Sequence, residues 1–464
     1  MRDLENKRVL VIGHEATAQA AVRLCVGKGA RVSVVPSGPR SVSDRDIEAL
    51  ENLGADTLTV GEAAKAEFDL AVLGQSIPRT AENVYPLLEK NVPVVSDVEL
   101  AYQHFYCLSV AISGTNGKTT TAEFIEEMVN RCGKQTLKAG GSDTPVCDLV
   151  EKTRELDFAT LEVNSFQLES IVHFRPSVAV ILNLKPDHMD RYERMSNYAR
   201  TLGRVFMNQQ AFDWAIVQSE ALAQLRTLGV EIPSKVITFS ANNRRADIFL
   251  DRSLLISQIP DWDGPLLDLE HCRLRGPHNA ENVMAALAVG RVLKLPLEEM
   301  AEAVKAHVPG PHRCEVVAEA NGVTFINDSK AMNMDAVQKA LQAAPAGRGG
   351  EPNIFLIAGG KDKGLEFHEL GPLLAQRVKG AFLLGEMQEK LRAAWSLFTP
   401  CSIVSTLRDA VDQAADSAQA GDVVLLSPGC SSFDMFQNYQ QRGERFREAV
   451  ADWISRTTKG SAHA

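Results

Sequence analysis

Residues 112–120, ISGTNGKTT, end the way a phosphate-binding loop ends. In the common nucleotide loop, G-x-x-x-x-G-K-[ST], backbone N–H groups cradle phosphate oxygens, the lysine reaches the β- and γ-phosphates, and the hydroxyl holds Mg2+. Here the first glycine position is Ile112, and glycine arrives two residues late, at Gly114. Gly114 and Gly117 still let backbone N–H groups converge on an anion at the positive end of a helix. Lys118 would then reach the terminal phosphates and the Thr119 hydroxyl would hold magnesium. The candidate nucleotide loop is Gly114, Thr115, Asn116, Gly117, Lys118, Thr119 and Thr120. A glycine-rich turn with a solvated lysine is the plain alternative.

Further chemistry-bearing residues follow apolar runs. FATLEVNSFQLE places Glu162 at the end of a buried strand, where a carboxylate suits a cation or a structural ion pair. SVAVILNLKPDHMDRY puts Asn183, Asp187, His188 and Asp190 just past another strand end, the edge at which open parallel sheets bind ligands. GPHNAENVMAALA opens a helix with Asn279 and Asn282 three apart, on one face and in the first turn. Such amides suit a base or ribose, or serve as N-caps. Arg313, Asp328, Lys330, Lys363 and Ser432 each fall at or soon after a strand end in the last third of the chain. Cationic side chains gathered there suit anionic substrates and a migrating phosphoryl group.

These residues need a scaffold that aligns strand ends. RVLVIG, ARVSVVP, DLAVLG and VPVVSD mark strands in the first hundred residues; LSVAIS, FATLEV, SVAVIL and DWAIV follow; VTFIND, NIFLIAGG, GAFLLG and DVVLLSPG come last. Their alternation with helical patterns predicts mostly parallel sheets with crossover helices. With 464 residues, three α/β domains are expected. The breaks fall near 102–107 and near the VPGPH segment at 308–312. This gives an N-terminal Rossmann-like βαβ unit at 1–105, a central P-loop ATPase-like parallel sheet at 106–308, and a C-terminal Rossmann-like domain at 309–464. The first turn, GHEATA, places Glu15 and Ala18 where a dinucleotide fingerprint wants glycines. A carboxylate there repels a pyrophosphate, so NAD or FAD binding is not expected.

A net charge of −10, from 49 basic and 59 acidic residues, argues against broad nucleic-acid binding. The charged start, MRDLENKRVLVIG, lacks the apolar core of a secretion signal, and no apolar run reaches membrane-spanning length. Eight scattered cysteines without a C-x-x-C pair read as free thiols in a reducing compartment. A cytoplasmic protein is expected.

The segments GTNGKTT, EVNSFQLE, DHMDRY, HNAENVMAA, HRCE, NDSKAMN, GGKDKG and SPGCSSFDMFQNYQQRGERF occur in the order and approximate spacing found in Mur ligases, and the chain resembles that family. Within it, NSFQLE, DHMDRY and SFDMFQNYQQRG resemble the members that add D-glutamate. The resemblance is carried by the middle and last domains and is faint in the first. It implies a cytoplasmic, monomeric ligase of peptidoglycan synthesis. ATP would phosphorylate the terminal carboxylate of UDP-N-acetylmuramoyl-L-alanine, and the amine of D-glutamate would attack the acyl phosphate. It further implies that Lys118 and Thr119 hold ATP phosphate and magnesium, that Glu162 is a magnesium ligand, and that His188 sits near a second metal. Asn279, Asn282, Arg313 and Asp328 would contact ATP. Lys330 would lie beside the transferring group, with Lys118 and His188 completing the catalytic set. Lys363, Ser432 and Tyr439 would hold D-glutamate, and the first domain would lie on the UDP-substrate side.

Four positions depart from the family pattern. Leu202 stands where the family has a lysine that becomes carbamylated and bridges to the second magnesium. Met332 replaces a threonine expected to bond a D-glutamate carboxylate, a loss of roughly 1.5–3 kcal/mol. Ser142 stands for an asparagine of the acceptor-binding loop, and the uridine-binding glycines of the first turn are replaced. A ligase with another acceptor, such as a sister Mur ligase or a folylpolyglutamate synthase, is one alternative, disfavoured by LSPGCSSFDMF. A pseudo-ligase that binds ATP for regulation or scaffolding is the other, favoured by Leu202.

Overall fold

A computed structural model describes residues 3–37, 42–141, 144–273 and 276–461. Ser142 lies outside them. The first sheet is parallel throughout and is built from β1 (Arg8–Ile12), β2 (Arg31–Val35), β3 (Asp56–Thr57), β4 (Leu70–Leu73) and β5 (Val94–Ser96), in the order β3-β2-β1-β4-β5.

The second sheet comprises β6 (Leu108–Ser113), β7 (Thr136–Ala139), β8 (Phe158–Glu162), β9 (Val178–Ile181), β10 (Trp214–Gln218), β11 (Lys235–Ser240), β12 (Ile248–Asp251), β13 (Leu254–Ser257) and β14 (Gly264–Asp268). Its order is β14-β13-β12-β11-β10-β9-β6-β8-β7, with β13 antiparallel to both its neighbours. The third sheet joins β15 (Glu315–Ala320), β16 (Val323–Asn327), β17 (Ile354–Gly359), β18 (Val378–Leu384), β19 (Cys401–Ile403) and β20 (Val423–Leu426), in the order β15-β16-β20-β17-β18-β19. Only β15 runs antiparallel there.

The apolar runs become parallel strands because both faces of each sheet are covered. In β17, Ile354, Leu356 and Ala358 enter one core cluster, with Trp395, while Phe355 and Ile357 enter the cluster on the other face, with Phe446. In the second sheet, the helix Lys118–Arg131 buries Phe124, Ile125, Met128 and Val129 in one core with Val283, Met284 and Leu287 of the helix Pro277–Val292. Register aligns the strand ends: Ile112 pairs with both Glu162 and Val180, so the residues after β6, β8 and β9 leave the sheet at one edge.

The chain folds as two compact units, one of residues 1–184 with 196–307, the other of residues 185–195 with 308–464. The first two sheets share the first unit. Residues 185–195, which carry Asp187 and His188, belong with the third sheet.

Candidate active site

The phosphate loop fills the turn between β6 and the helix Lys118–Arg131. Gly117 caps that helix with φ 91°, and Gly114 has φ 124°, both in the region that favours glycine. Space makes the same demand. A Cβ on Gly117 would sit 2.2 Å from Asn282 Oδ1, and one on Gly114 would sit 3.1 Å from backbone atoms of Leu182 and Asn183. Asn183 braces the loop through both ends of its amide: its Oδ1 accepts the Asn116 N–H (2.9 Å) and its Nδ2 donates to the Asn116 carbonyl (2.9 Å). Its backbone carbonyl accepts the Thr115 N–H at 3.0 Å. Asn183, read from sequence as a candidate ligand group, is therefore a structural support.

Lys118 Nζ donates to the carbonyls of Gly114 (2.7 Å) and Thr115 (2.9 Å), which keeps the ammonium on the loop. The Thr119 hydroxyl donates to Glu162 Oε2 at 2.7 Å. A helix start, an ammonium, a hydroxyl and a carboxylate at one strand edge fit a nucleotide phosphate chain with a magnesium ion. Among the described residues, no three His, Cys, Asp or Glu side chains are grouped to hold a metal. Magnesium held by Thr119 and Glu162 would complete its shell with phosphate oxygens and water, as it commonly does. Gly117→Ala is expected to weaken ADP–Mg2+ binding at least about tenfold, because the added methyl collides with Asn282 and strains a positive φ. Calorimetric titration checks this, and unaltered affinity would remove the loop assignment.

Asn279 and Asn282 share a face of the helix Pro277–Val292, and Asn282 Nδ2 lies 3.4 Å from Asn279 Oδ1. Two details differ from expectation. Helix numbering puts Asn282 in the second turn, because the helix begins at Pro277. Neither is the N-cap, which is Gly276, a residue without a capping side chain. Asn282 is buried against the loop glycine.

In the second unit, Asp187 is buried and accepts from Lys363 Nζ (2.9 Å) and Asn333 Nδ2 (3.2 Å). Burial pushes its pKa up, but neighbouring His188, Lys363 and Asn333 outweigh that and hold it well below the usual carboxylate range. His188 adopts φ 55° and caps the short helix Met189–Tyr192. Thr119 and Glu162 belong to the first unit, and His188 to the second. Lys330 Nζ lies 5.2 Å from the Tyr439 ring centroid, a cation–π contact at the start of the helix Tyr439–Ser461. Ser432 is buried, and its carbonyl accepts the Phe436 N–H at 2.9 Å.

Asp328, at the end of β16, accepts from the Ser427 hydroxyl (2.9 Å) and the Cys314 N–H (3.2 Å). Burial raises it to about 7, against the pull of those bonds and of Arg313. A folded-state acid raised this way binds its proton where the unfolded chain has lost it. Stability should therefore fall as pH rises from about 4 to about 7, by several kcal/mol in order of magnitude. Asp328→Asn is expected to flatten that dependence in urea unfolding, and an unchanged slope would refute the buried-acid assignment.

Sequence comparison bears on the whole chain. The UDP-N-acetylmuramoylalanine–D-glutamate ligase of Acidobacterium capsulatum is 36% identical over 453 residues, covering 97% of each chain. That of Pelotomaculum thermopropionicum is 36% identical over 458 residues, 97% of this chain and 98% of the other. The chain belongs to the Mur ligase family. Two models of that family match it, the Mur ligase middle domain over residues 112–290 and the Mur ligase glutamate ligase domain over 312–430. The fold is shared with solved Mur ligases. UDP-N-acetylmuramate-alanine ligase MurC from Thermotoga maritima has a TM-score of 0.62 at 16% identity, covering 96% of this chain and all of the other. MurF ligase from the same organism, solved in complex with ADP, has 0.57 at 16%, covering 98% of this chain and all of the other.

Three of the positions read from sequence as departures from the family pattern lie among the described residues. Leu202 is fully buried on the helix Met195–Gly203, so an aliphatic side chain fills that place. Met332 is half-buried in the turn before the helix Met334–Ala343, with no hydroxyl to offer. Glu15 caps the helix Ala16–Gly27, and its carboxylate accepts from the Ser76 hydroxyl. Ala18 packs at Gly13, where a Cβ would approach it to 2.9 Å. The first turn of the Mur ligase chain is thus closed by side chains where a dinucleotide fold leaves glycines.

Sequence reasoning passed over Asn333, Ser427 and Arg442. Asn333 bonds Asp187 and also caps its own helix through the Ala336 N–H (3.0 Å). Buried Arg442 donates to Ser329 and to the Cys430 carbonyl, tying the NDSKAMN loop to the SPGCSS loop. Both lie inside quoted motifs, and that was the only available signal.

Proposed function

We propose that this chain adds D-glutamate to UDP-N-acetylmuramoyl-L-alanine at the expense of ATP, in the cytoplasm and as a monomer, in peptidoglycan precursor synthesis. The observation that carries the reading is the bonded pair of Thr119 hydroxyl and Glu162 carboxylate, set beside Lys118 on a loop whose glycine is pressed against Asn282.

A carboxylate is a poor electrophile, so the first step is attack of the acceptor's terminal carboxylate oxygen on the γ-phosphorus, with ADP leaving. The amine of D-glutamate then attacks the acyl carbon, and phosphate departs from the tetrahedral intermediate. Magnesium, held by Thr119 and Glu162, would draw charge from the phosphate oxygens. The loop Gly114, Thr115, Asn116, Gly117, Lys118, Thr119 and Thr120 grips the phosphates through N–H groups and an ammonium. Asn279, Asn282, Arg313 and Asp328 contact the rest of ATP. Lys330, held over Tyr439, offers charge to the transferring group, while Lys363, Ser432 and Tyr439 receive D-glutamate. His188 orients a second cation, which in this chain lacks a lysine at position 202. Residues 1–105 receive the UDP moiety, 106–308 the ATP, and 309–464 the amino acid. Among the described residues, no helix is long and apolar enough to cross a membrane.

Phosphate release from ATP with UDP-N-acetylmuramoyl-L-alanine and Mg2+ tests the reading. Turnover is expected with D-glutamate and not with L-glutamate. Nucleotide binding without turnover, or release only with another acceptor, would refute it.

A further inference from the structure

Asp97 begins the helix Asp97–Tyr102 directly after β5, is 1% exposed, and belongs to none of the chemistry-bearing motifs above. Its carboxylate accepts twice from Gln167 Nε2, at 3.0 and 3.1 Å. Gln167 is equally buried and has its other functions in use. Its Oε1 accepts the Asn164 N–H (3.0 Å), and its own N–H donates to Asn164 Oδ1 (2.9 Å), the reciprocal box that starts the helix Ser165–Glu169. Asn164 lies two residues beyond Glu162. Between them, Val163 is pinned to the phosphate-loop strand. Its N–H donates to the Ile112 carbonyl (2.9 Å), and its carbonyl accepts the Ser113 hydroxyl (2.8 Å).

We propose that Asp97 is a positioning residue for the ligase reaction, acting through Gln167 and Asn164 to hold Glu162 where it meets Thr119. The charge at Asp97 has a function that an apolar contact would not supply. A carboxylate only accepts, so it forces the Gln167 NH2 toward itself and the amide oxygen toward Asn164. An amide flip would oppose oxygen to oxygen and break the cap. Burial raises the Asp97 acid to about 6, so it is mostly ionised above neutrality and the orientation is enforced there. Holding a charge at this depth costs stability, as expected of a group kept for geometry. The strut also links the end of the first sheet to the carboxylate of the second sheet that faces the phosphate loop.

The proposal rests on Glu162 being a metal ligand, and the experiment separates the two. Asp97→Asn, Gln167→Glu, their double variant and Glu162→Gln are compared with the full-length parent. The measurements are the half-saturating Mn2+ of the ADP complex, read from loss of the free-ion EPR signal, the KM for D-glutamate, and Tm. Gln167→Glu sets two carboxylates face to face and is expected to raise half-saturating Mn2+ about tenfold, the scale of outer-partner loss at metal sites. The double variant restores a donor–acceptor pair, with the new amide at 97 donating to the new carboxylate at 167. It should recover to within about threefold of the parent. KM for D-glutamate should stay unchanged in both. A fall in Tm with an unmoved Mn2+ titration would reduce Asp97 to packing and overturn the proposal. Should Gln167→Glu not fold, Asp97→Asn alone decides, since loss of the enforced amide orientation should still shift the titration. If Glu162→Gln leaves the titration unmoved, the ligand reading fails and the proposal with it. If Glu162→Gln shifts it and the variants at 97 and 167 do not, the proposal alone fails.

Discussion

Lys118→Ala is expected to lower kcat for phosphate release by about a thousandfold or more, in the upper range for one preorganised electrostatic group, while Tm changes little. The two expectations have one cause. Lys118 is half-buried, and its Nζ donates to the carbonyls of Gly114 and Thr115 on its own loop. Water can replace it there without opening the core. What water cannot replace is a fixed positive charge beside the phosphoryl group as it leaves ADP. Lys118→Arg should recover little, because a planar fork does not occupy the place of a compact ammonium against two carbonyls. Single-turnover formation of ADP separates chemistry from binding. A rate within about tenfold of the parent would place the phosphoryl group elsewhere.

The sheets were readable where burial on both faces writes a plain apolar run, as in VLVI of β1, VAIS of β6 and IFLIAG of β17. The antiparallel strands β12 to β15 were not. Their residues alternate weakly, and β12 meets β13 through a tight turn in which Arg252 takes φ 58° without a glycine to announce it. Glycine spacing made the phosphate loop readable, because close approach leaves no other residue type. Motif position drew attention to Asn183, but its use as a brace on Asn116 depends on the register of β6 and β9, which one strand's sequence does not specify. The strut from Asp97 to Gln167 spans seventy residues of chain and joins two sheets. No local pattern signals a contact of that separation. Residues 185–195 pose the same problem, for DHMDRY follows a strand of the second sheet and folds with the third. Distance along the chain, more than ambiguity of residue type, limits what can be read.

Lys363→Met is expected to destabilise the second unit by about 3 kcal/mol, the usual cost of leaving one partner of a buried ion pair unmatched. Asp187 and Lys363 are both largely shielded, with side chains 9% and 11% exposed, and their atoms meet at 2.9 Å. Asn333 supplies a further bond to Asp187, and the His188 ring lies 3.8 Å away, so the carboxylate would keep these neighbours but lose its bonded ammonium. The backbone reinforces the pairing. Asp190 N–H donates to the Lys363 carbonyl (3.1 Å), and Gly364 lies so close that a Cβ would fall 2.6 Å from Asp190 N. Asp187→Asn combined with Lys363→Met removes both charges, and the double variant should recover about 2 kcal/mol relative to the sum of the single losses. Urea unfolding measures the coupling, and additive losses would mean that the pair contributes no specific stability. The same variants test the acceptor role. If the Lys363 ammonium also receives a D-glutamate carboxylate, Lys363→Met raises KM for D-glutamate even in the background where Asp187→Asn has restored stability. Asp187→Asn alone, which leaves the ammonium in place, should raise it less. Equal KM changes in the two single variants would instead mean that the lysine serves the acceptor only by holding residues 187–190 in place.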